Sequence, residues 1–315
     1  MIDLAFLESI TFARVRVTFA ARDTVTLPRY KGSAYRGCLG DALRRDVCTC
    51  PGSECGACRQ RYRCVFSQLF NSYVPTGHPH VRKYPKSPHP YIVYPFPGSQ
   101  TIFEPGETFG FELTLIGGAV NLLPRVTESF RVMGETGIGK KHGHFDAVAL
   151  ESLTDTGGAY QPLPVFGTPV VFSTNRLPVP ETTSGLTLQF ETPLRLMRDG
   201  HPDDTPPPFG LLVSRLAARM GLLAHFHCGA PWQEFDHMFA GTNPGVDIVR
   251  SQLQRVDWQR YSGTQDSHMN FDGHIGEITY KGDIAPWMPL LVAGSWLHAG
   301  STTTFGLGKY VIKRK

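Results

Sequence analysis

The chain has 315 residues, of which 41% are hydrophobic and 18% charged, and its formal net charge is +4. This length and apolar content allow a sizeable core in one large or two ordinary domains, and they exclude a wholly disordered chain. The 33 glycines and 25 prolines favour turns and short strands over long helices. The net charge permits a polyanionic partner without requiring one.

No targeting segment is visible in the sequence. The first ten residues contain Asp3 and Glu8 and lack the basic start of a signal peptide. No apolar run approaches the roughly 20 residues that cross a bilayer. We therefore expect a cytoplasmic protein with reduced thiols and no membrane partner.

The hydrophobic pattern of the N-terminal half alternates between strands and helices. Ser33 is a plausible N-cap of the first helix. The predicted elements are strand 11–19, helix 33–46, strand 109–116, helix 122–133 and strand 145–153. A cysteine-rich insertion (48–64) and a proline-rich loop (75–97) lie between the first helix and the second predicted strand.

A second set of elements follows a stretch with few paired apolar residues, at 154–184, which we interpret as a linker with some strand content. The predicted elements are strand 186–190, helix 209–225, strand 276–280, helix 286–298 and strand 310–313. We therefore predict an N-terminal domain over 1–153 and a C-terminal domain over 185–315.

The two halves echo each other. Each contains a short Gly-hydrophobic-Gly-Lys loop after a helix and before a strand, at residues 137–140 and 306–309. The shared order favours an α+β fold with tandem ferredoxin-like (RRM-like) βαββαβ domains. Glycines in such loops let a backbone approach a ligand closely, and neighbouring Lys, Ser and Thr side chains add charge and donors for an anion.

Several blocks of the sequence resemble a known family. The block GHIGEITYKGDIAPWMPLLVAGSWLHAGSTTTFGLGKY (273–310) and the block LPRYKGSAYRGCLGDALRR (27–45), with the cysteines after it, resemble the CRISPR-associated RAMP endoribonucleases that process precursor CRISPR RNA. PHPYIVYPFP (88–97) and GIGKKHGHFDAVAL (137–150) follow in the order expected for that family, in a subgroup that contains cysteines. Related sequences often have Lys where this chain has Ser301, so one cation is missing here.

The resemblance implies a glycine-rich loop against RNA, cleavage within CRISPR repeats and a role in supplying guide RNA for antiviral defence. The implied cleavage needs no catalytic metal and uses a ribose 2′-hydroxyl as nucleophile, so it needs an acid–base residue and cations for the phosphate. Our candidates for acid–base catalysis are His298, His142, His144 and Tyr35. Our candidates for RNA binding are Lys31, Arg36, Lys140, Lys141, Gly300, Ser301, Thr302, Gly306, Gly308 and Lys309.

Five cysteines fall within 17 residues, at positions 48, 50, 55, 58 and 64. In a reducing compartment such spacing favours a metal site over disulfides. Four thiolates from Cys48, Cys55, Cys58 and Cys64 would hold a structural zinc ion, with Cys50 as a spare ligand. An iron–sulfur cluster also takes four cysteines and is the alternative.

Two other functions stay open at the level of sequence. One is a non-cleaving RNA-binding subunit of a CRISPR effector complex with the same architecture. The other is a zinc protein unrelated to CRISPR, which would have no affinity for repeat RNA.

Overall fold

The computed structural model of the chain describes residues 3–164, 166–181, 185–198, 201–235, 238–239, 244–262 and 267–313, with the backbone alone over 258–262 and 267–270. The chain divides into two compact units. The N-terminal unit is Thr11–Phe172 with Phe226–Cys228, and the C-terminal unit is Ser173–His225 and Gly229–Lys315 with the first ten residues.

The described helices and strands follow the sequence in this order. The helices are α1 (Gly32–Val47), α2 (Val65–Phe70), α3 (Leu123–Thr136), α4 (Phe209–Cys228) and α5 (Met288–Leu297). The strands are β1 (Thr11–Ala21), β2 (Val25–Thr26), β3 (Tyr91–Pro95), β4 (Ile102–Phe103), β5 (Thr108–Ile116), β6 (Phe145–Leu153), β7 (Tyr160–Pro162), β8 (Val171–Ser173), β9 (Gly185–Leu194), β10 (Met197–Arg198), β11 (His201–Pro202), β12 (Val246–Ser262), β13 (Ser267–Gly282) and β14 (Tyr310–Lys313).

A six-stranded sheet forms the base of the N-terminal unit. Its strand order is β3-β5-β1-β6-β7, and β8 also pairs with β1. The central strand β1 is antiparallel to both β5 and β6. Together with α1 and α3, the strands β1, β3, β5 and β6 make the strand–helix–strand–strand–helix–strand plan of a ferredoxin-like domain.

Alternate residues of β1 build the core of this unit. Val15, Val17 and Phe19 are at most 1% exposed, and they share one buried cluster with Leu39 of α1 and Phe130 of α3. The alternation arises because successive side chains of a strand point to opposite faces of the sheet. Ring centroids of Phe109, Phe111, Phe130 and Phe145 lie 4.9–5.8 Å from the ring of Phe19.

The C-terminal unit repeats the plan. Its four-stranded sheet has the order β12-β13-β9-β14, so β9, its first strand, lies between β13 and β14. The helices α4 and α5 complete the plan, and the fold is α+β with tandem ferredoxin-like domains, as the sequence predicts. By length and composition α4 could cross a membrane, but most of its apolar window is buried inside the protein.

Two sequence-based predictions need correction. α1 begins at Gly32, with Lys31 and not Ser33 at its N-cap position. The proline-rich loop contains β3, because Tyr91, Ile92 and Val93 are buried and pair with β5. The strand content expected in the linker is present, since β7 pairs with β6 and extends the first sheet.

Phe19 provides a test of the N-terminal core. We expect Phe19→Ala to lower the free energy of unfolding by about 3–5 kcal/mol, because a fully buried ring is replaced by a cavity. Phe166 is 75% exposed, so Phe166→Ala is the matched control and should change stability by less than about 0.5 kcal/mol. Urea unfolding of both variants measures the difference, and equal losses would contradict the packing around Phe19.

Candidate functional site

Both glycine-rich loops have a left-handed backbone at the same two places. Gly137 and Gly139 have φ angles of 77° and 79°, and Gly306 and Gly308 have φ angles of 82° and 73°. Each pair lies between the second long helix of its unit and the last strand of the ferredoxin-like plan. Residues other than glycine rarely adopt such φ angles. The Gly-hydrophobic-Gly-Lys sequence that the two loops share therefore corresponds to the same backbone conformation in both.

Close packing of backbone on backbone explains two of these glycines. A Cβ atom at Gly308 would lie 1.8 Å from the carbonyl oxygen of Ala299, and one at Gly139 would lie 2.1 Å from that of Thr26. No side chain fits at either position. These glycines therefore have a structural role.

Internal hydrogen bonds fasten the C-terminal loop to the end of β9. The Thr192 hydroxyl donates to the Gly306 carbonyl and accepts from the Lys309 N–H, both at 2.9 Å. The Ser301 N–H donates to Arg195 O at 2.9 Å, and the Gly308 N–H donates to Pro193 O at 3.0 Å. Because these amides bond within the protein, they are not available to an anion.

His298 lies inside the C-terminal unit. Its side chain is buried, with 2% of the residue exposed, and its Nδ1 is 3.1 Å from the carbonyl oxygen of Leu307. The Arg219 guanidinium donates to the carbonyls of Leu297 and His298 at the end of α5. In this position the imidazole packs beneath the glycine loop and does not face solvent.

Gly300, Ser301, Thr302 and Lys309 are the half-exposed part of this loop, whereas Gly306 and Gly308 are buried. Lys309 Nζ donates to Ser295 O at 2.8 Å. Ser301 Oγ donates to Arg195 O at 3.3 Å and Thr302 Oγ1 to Ser301 O at 2.6 Å, so this loop offers a ligand only the remaining hydrogen-bonding capacity of these side chains and the charge of Lys309.

The loop of the N-terminal unit is more open. Lys140, Lys141 and His142 are all exposed. His142 has a left-handed φ of 51°, and its N–H donates to Gly139 O at 3.2 Å. This loop therefore presents two cations and one imidazole to solvent.

His144 forms a pair that sequence reasoning missed. Its Nδ1 lies 2.7 Å from Asp23 Oδ2, and its backbone N–H donates to Asp23 Oδ1 at 2.8 Å. These two hydrogen bonds lower the pKa of Asp23. The two side chains are about half exposed, and Nε2 of His144 has no partner among the residues that the structure describes. Because 121 residues separate the partners in sequence, no local pattern joins them.

The start of α1 combines a buried cation with unpaired amides. Lys31 is 5% exposed, and within the described parts of the chain its ammonium bonds only to Gly98 O, at 3.2 Å. Burial lowers its pKa. The first turn has no acidic residue and no side-chain cap, and the N–H groups of Gly32, Ser33 and Ala34 have no described partner. Such a helix start favours an anion.

Arg36 and Tyr35 point in different directions from this helix. Arg36 is half-buried, donates to the Tyr91 hydroxyl at 3.1 Å and lies over the Phe70 ring. Tyr35 is fully buried against Phe111, and burial raises its pKa. Its hydroxyl is therefore shielded from substrate in this structure.

The cysteine-rich insertion belongs to the N-terminal unit. The side chains of all five of its cysteines, Cys48, Cys50, Cys55, Cys58 and Cys64, line one cavity. None of the five forms a disulfide. The structure thus gathers the predicted ligands in one place.

Two family models match the chain. A model described as an N-terminal domain, AF_1859_N, matches residues 9–175, which is more than half of the chain. A model described as CRISPR-associated endoribonuclease Cas6 matches residues 188–310. The chain belongs to the family that the first model describes, and residues 188–310, less than half of the chain, resemble the Cas6 endoribonucleases. No curated protein matches the sequence.

Solved Cas6 structures share the fold over nearly the whole chain. A Cas6 product complex is 14% identical, with a TM-score of 0.56 over 96% of this chain and 99% of that one. Thermus thermophilus Cas6 is 15% identical, with a TM-score of 0.52 and the same coverage. A partial Cas6-RT-Cas1–Cas2 complex is 10% identical, with a TM-score of 0.55 over 97% of this chain and 46% of that one. These likenesses confirm the tandem ferredoxin-like fold of this chain.

Gly308→Ala tests the close approach in the C-terminal loop. Gly229 is the matched control, because it has a similar φ of 76° but open space around it. We expect Gly229→Ala to cost about 1–2 kcal/mol from the left-handed backbone alone. Gly308→Ala should cost clearly more, since the Ala299 carbonyl must also move. Urea unfolding compares them, and equal losses would show that backbone conformation alone selects Gly308.

Proposed function

We propose that this protein is an endoribonuclease that cleaves precursor CRISPR RNA within its repeats to give guide RNAs. The match of residues 188–310 to the Cas6 endoribonuclease model carries this proposal. It favours cleavage over the alternative of a non-cleaving RNA-binding subunit. Repeat RNA is the proposed substrate, and other CRISPR proteins are proposed partners, since one similar structure is of a Cas6-RT-Cas1–Cas2 complex.

The proposed reaction uses no catalytic metal. A base removes the proton of a ribose 2′-hydroxyl, whose oxygen attacks the adjacent phosphorus. The bond to the 5′-oxygen then breaks, an acid protonates that oxygen, and a 2′,3′-cyclic phosphate and a 5′-hydroxyl result. Cations offset the charge that develops on the phosphate.

His144 is our first candidate for the acid–base residue. Asp23 holds its Nδ1 at 2.7 Å, which fixes the tautomer and directs Nε2 outward, as in other pairs where a carboxylate orients a catalytic histidine. His142 is the second candidate because it is exposed. His298 and Tyr35 rank below them because both are buried and would need the chain to open.

Two groups of cations are candidates for the phosphates. Lys140 and Lys141 are exposed beside the histidines of the first loop. Lys31 has a buried ammonium with no carboxylate partner in the described residues, beside the unpaired amides at the start of α1. An unpaired buried charge is costly, and a bound phosphate would offset that cost. In the C-terminal unit, the polar side chains of Ser301, Thr302 and Lys309 are the proposed RNA contacts.

His144→Ala tests the acid–base assignment. We expect a loss of about 10²–10⁴-fold in the single-turnover cleavage rate at saturating repeat RNA, with RNA affinity nearly unchanged. Asp23→Asn should reduce the rate less, because it weakens the orientation of the His144 imidazole without removing it. His201→Ala is the control, since His201 is exposed in the C-terminal unit. A normal rate for His144→Ala would exclude this residue and direct attention to His142→Ala.

The nature of the products tests the mechanism. The wild-type protein should cleave repeat RNA at the same rate when excess EDTA is added together with the RNA. The upstream fragment should carry a cyclic phosphate and the downstream fragment a 5′-hydroxyl. Tight binding without cleavage would support the non-cleaving alternative, and an absence of binding would contradict both functions.

Lys31→Met tests the phosphate contact at α1. Methionine fills similar space without charge, so the fold should be kept. We expect weaker RNA binding and a plot of log affinity against log salt whose slope is smaller by about one unit. Lys281→Met is the control, because Lys281 is exposed on β13 of the other unit. Equal salt slopes for the two variants would remove Lys31 from the RNA-binding surface.

A further inference from the structure

The segment Cys48–Cys64 lacks the usual means of holding a fixed shape. It connects α1 to α2 and contains no helix or strand. Its backbone hydrogen bonds are local turns, such as Cys58 N–H to Cys55 O at 3.3 Å and Cys64 N–H to Gln60 O at 2.8 Å. Between its end residues it has few apolar side chains, and most of its residues are exposed. A segment of this kind usually needs a cross-link or a metal to stay ordered.

The ends of the segment are anchored. Cys48 is the C-cap of α1, and its N–H donates to Arg44 O at 3.0 Å. Cys64 is the N-cap residue of α2. Contacts between α1 and α2 hold these two cysteines in a fixed frame. The Cys-x2-Cys pair, Cys55 and Cys58, lies at the centre of the turn that crosses between them.

One thiol already has the environment of a metal ligand. The Gln60 N–H points at Cys58 Sγ, at an N···S distance of 3.4 Å. A backbone N–H group two residues after a cysteine stabilises its thiolate and orients it. Hydrogen-bond donors around the ligands of metal centres have the same effect. All five thiols line a single cavity of about 330 Å³ and are half-buried, so they are accessible to an ion from solution.

The charges around this cavity are also suited to a metal centre. Arg44, Arg61, Arg63 and Arg125 line it together with the thiols. A divalent ion with four thiolates carries a net charge of −2, which guanidinium groups stabilise. Arg125 is paired with Glu128 at 2.7 Å, and the Arg61 guanidinium donates to Gly56 O at 2.9 Å, so Arg61 is already held within the segment.

The thiols line the same cavity but do not lie at the mutual distances of metal ligands. Within the described ranges of the chain, no three His, Cys, Asp or Glu side chains stand close enough together to hold an ion. Binding would therefore draw the thiols inward. Such inward movement is easy in a segment whose backbone hydrogen bonds are local turns, and it is the step by which metal binding becomes folding free energy.

We infer that Cys48, Cys55, Cys58 and Cys64 bind one zinc ion that joins the end of α1 to the start of α2. Arg61 and Arg63 offset the charge of the tetrathiolate centre, and Cys50 is the spare thiol. All four ligand positions are filled by protein, so the centre is structural. The inference does not depend on the proposed ribonuclease activity.

Metal analysis of the full-length protein tests the site. Purified protein reconstituted with zinc should hold one zinc ion per chain, and cobalt substitution should give the visible absorption of tetrahedral thiolate coordination. Cys55→Ser and Cys58→Ser should lose the ion and lower the melting temperature. Cys38→Ser should retain it, because the Cys38 thiol lies elsewhere, 3.8 Å from Met133 O, and burial raises its pKa to about 12.

Three outcomes would overturn the inference. One is the absence of stoichiometric zinc after reconstitution, and another is an equal loss of zinc in Cys38→Ser. The third is the presence of iron and sulfide in the protein with the visible absorption of an iron–sulfur cluster. That result would show that the cysteines bind a cluster and not zinc. Because the readout is metal content, failure here leaves RNA cleavage by the same preparation as a separate result.

A separate experiment tests whether Arg61 and Arg63 stabilise the zinc centre. We expect the double variant Arg61→Gln and Arg63→Gln to give up zinc to a competing chelator at roughly tenfold lower chelator concentration, a change of about 1.4 kcal/mol. Arg59→Gln should behave as wild type, because Arg59 is exposed and does not line the cavity. Equal retention by both variants would show that the arginines do not stabilise the centre.

Discussion

A backbone carbonyl occupies the place where a side chain would stand at Gly139 and again at Gly308. This contact fixes the turn between the second helix of each ferredoxin-like domain and its last strand. That strand then pairs beside the first strand of its domain, β6 beside β1 and β14 beside β9. The first strand thereby becomes central in each sheet and carries the core. A larger residue at either glycine would displace the turn and the strand that it delivers.

The same constraint limits what the glycine loops could offer to the RNA that we propose as substrate. In the C-terminal loop, several amides that could bind a phosphate are already bonded to Thr192, Pro193 and Arg195. What remains for a ligand is a small set of polar side chains. The acid–base pair that we propose, His144 with Asp23, lies in the N-terminal unit. The uncapped start of α1, with Lys31, supplies positive charge in that unit. RNA binding by the C-terminal loop would thus use polar side chains, whereas cleavage would use a histidine paired with a carboxylate.

The two halves of α1 illustrate two ways of stabilising a chain. Its middle packs Leu39 and Leu43 into the hydrophobic core. Its end leads into a cysteine-rich segment that has almost no apolar surface to bury. In that segment the zinc coordination that we infer, with arginines that offset its charge, would take the place of hydrophobic packing. The core of this domain therefore does not need to extend to the insertion.

The sequence indicated the strongly periodic elements β1 and α3, because each has one mainly buried face, whereas β5 is buried on both faces and its alternation does not mark a single one. It also indicated the repeated glycine loops, and its resemblance to RAMP endoribonucleases agrees with the match of residues 188–310 to the Cas6 model. It missed β12, whose exposed polar residues carry no alternation and which is held by backbone pairing to β13. Only the tertiary structure decided which candidate residues are accessible. It buried His298, Tyr35 and Lys31, and it joined His144 to Asp23 across 121 residues. Burial and long-range pairing depend on how distant segments pack, and the spacing of residues along the chain does not encode either of them locally.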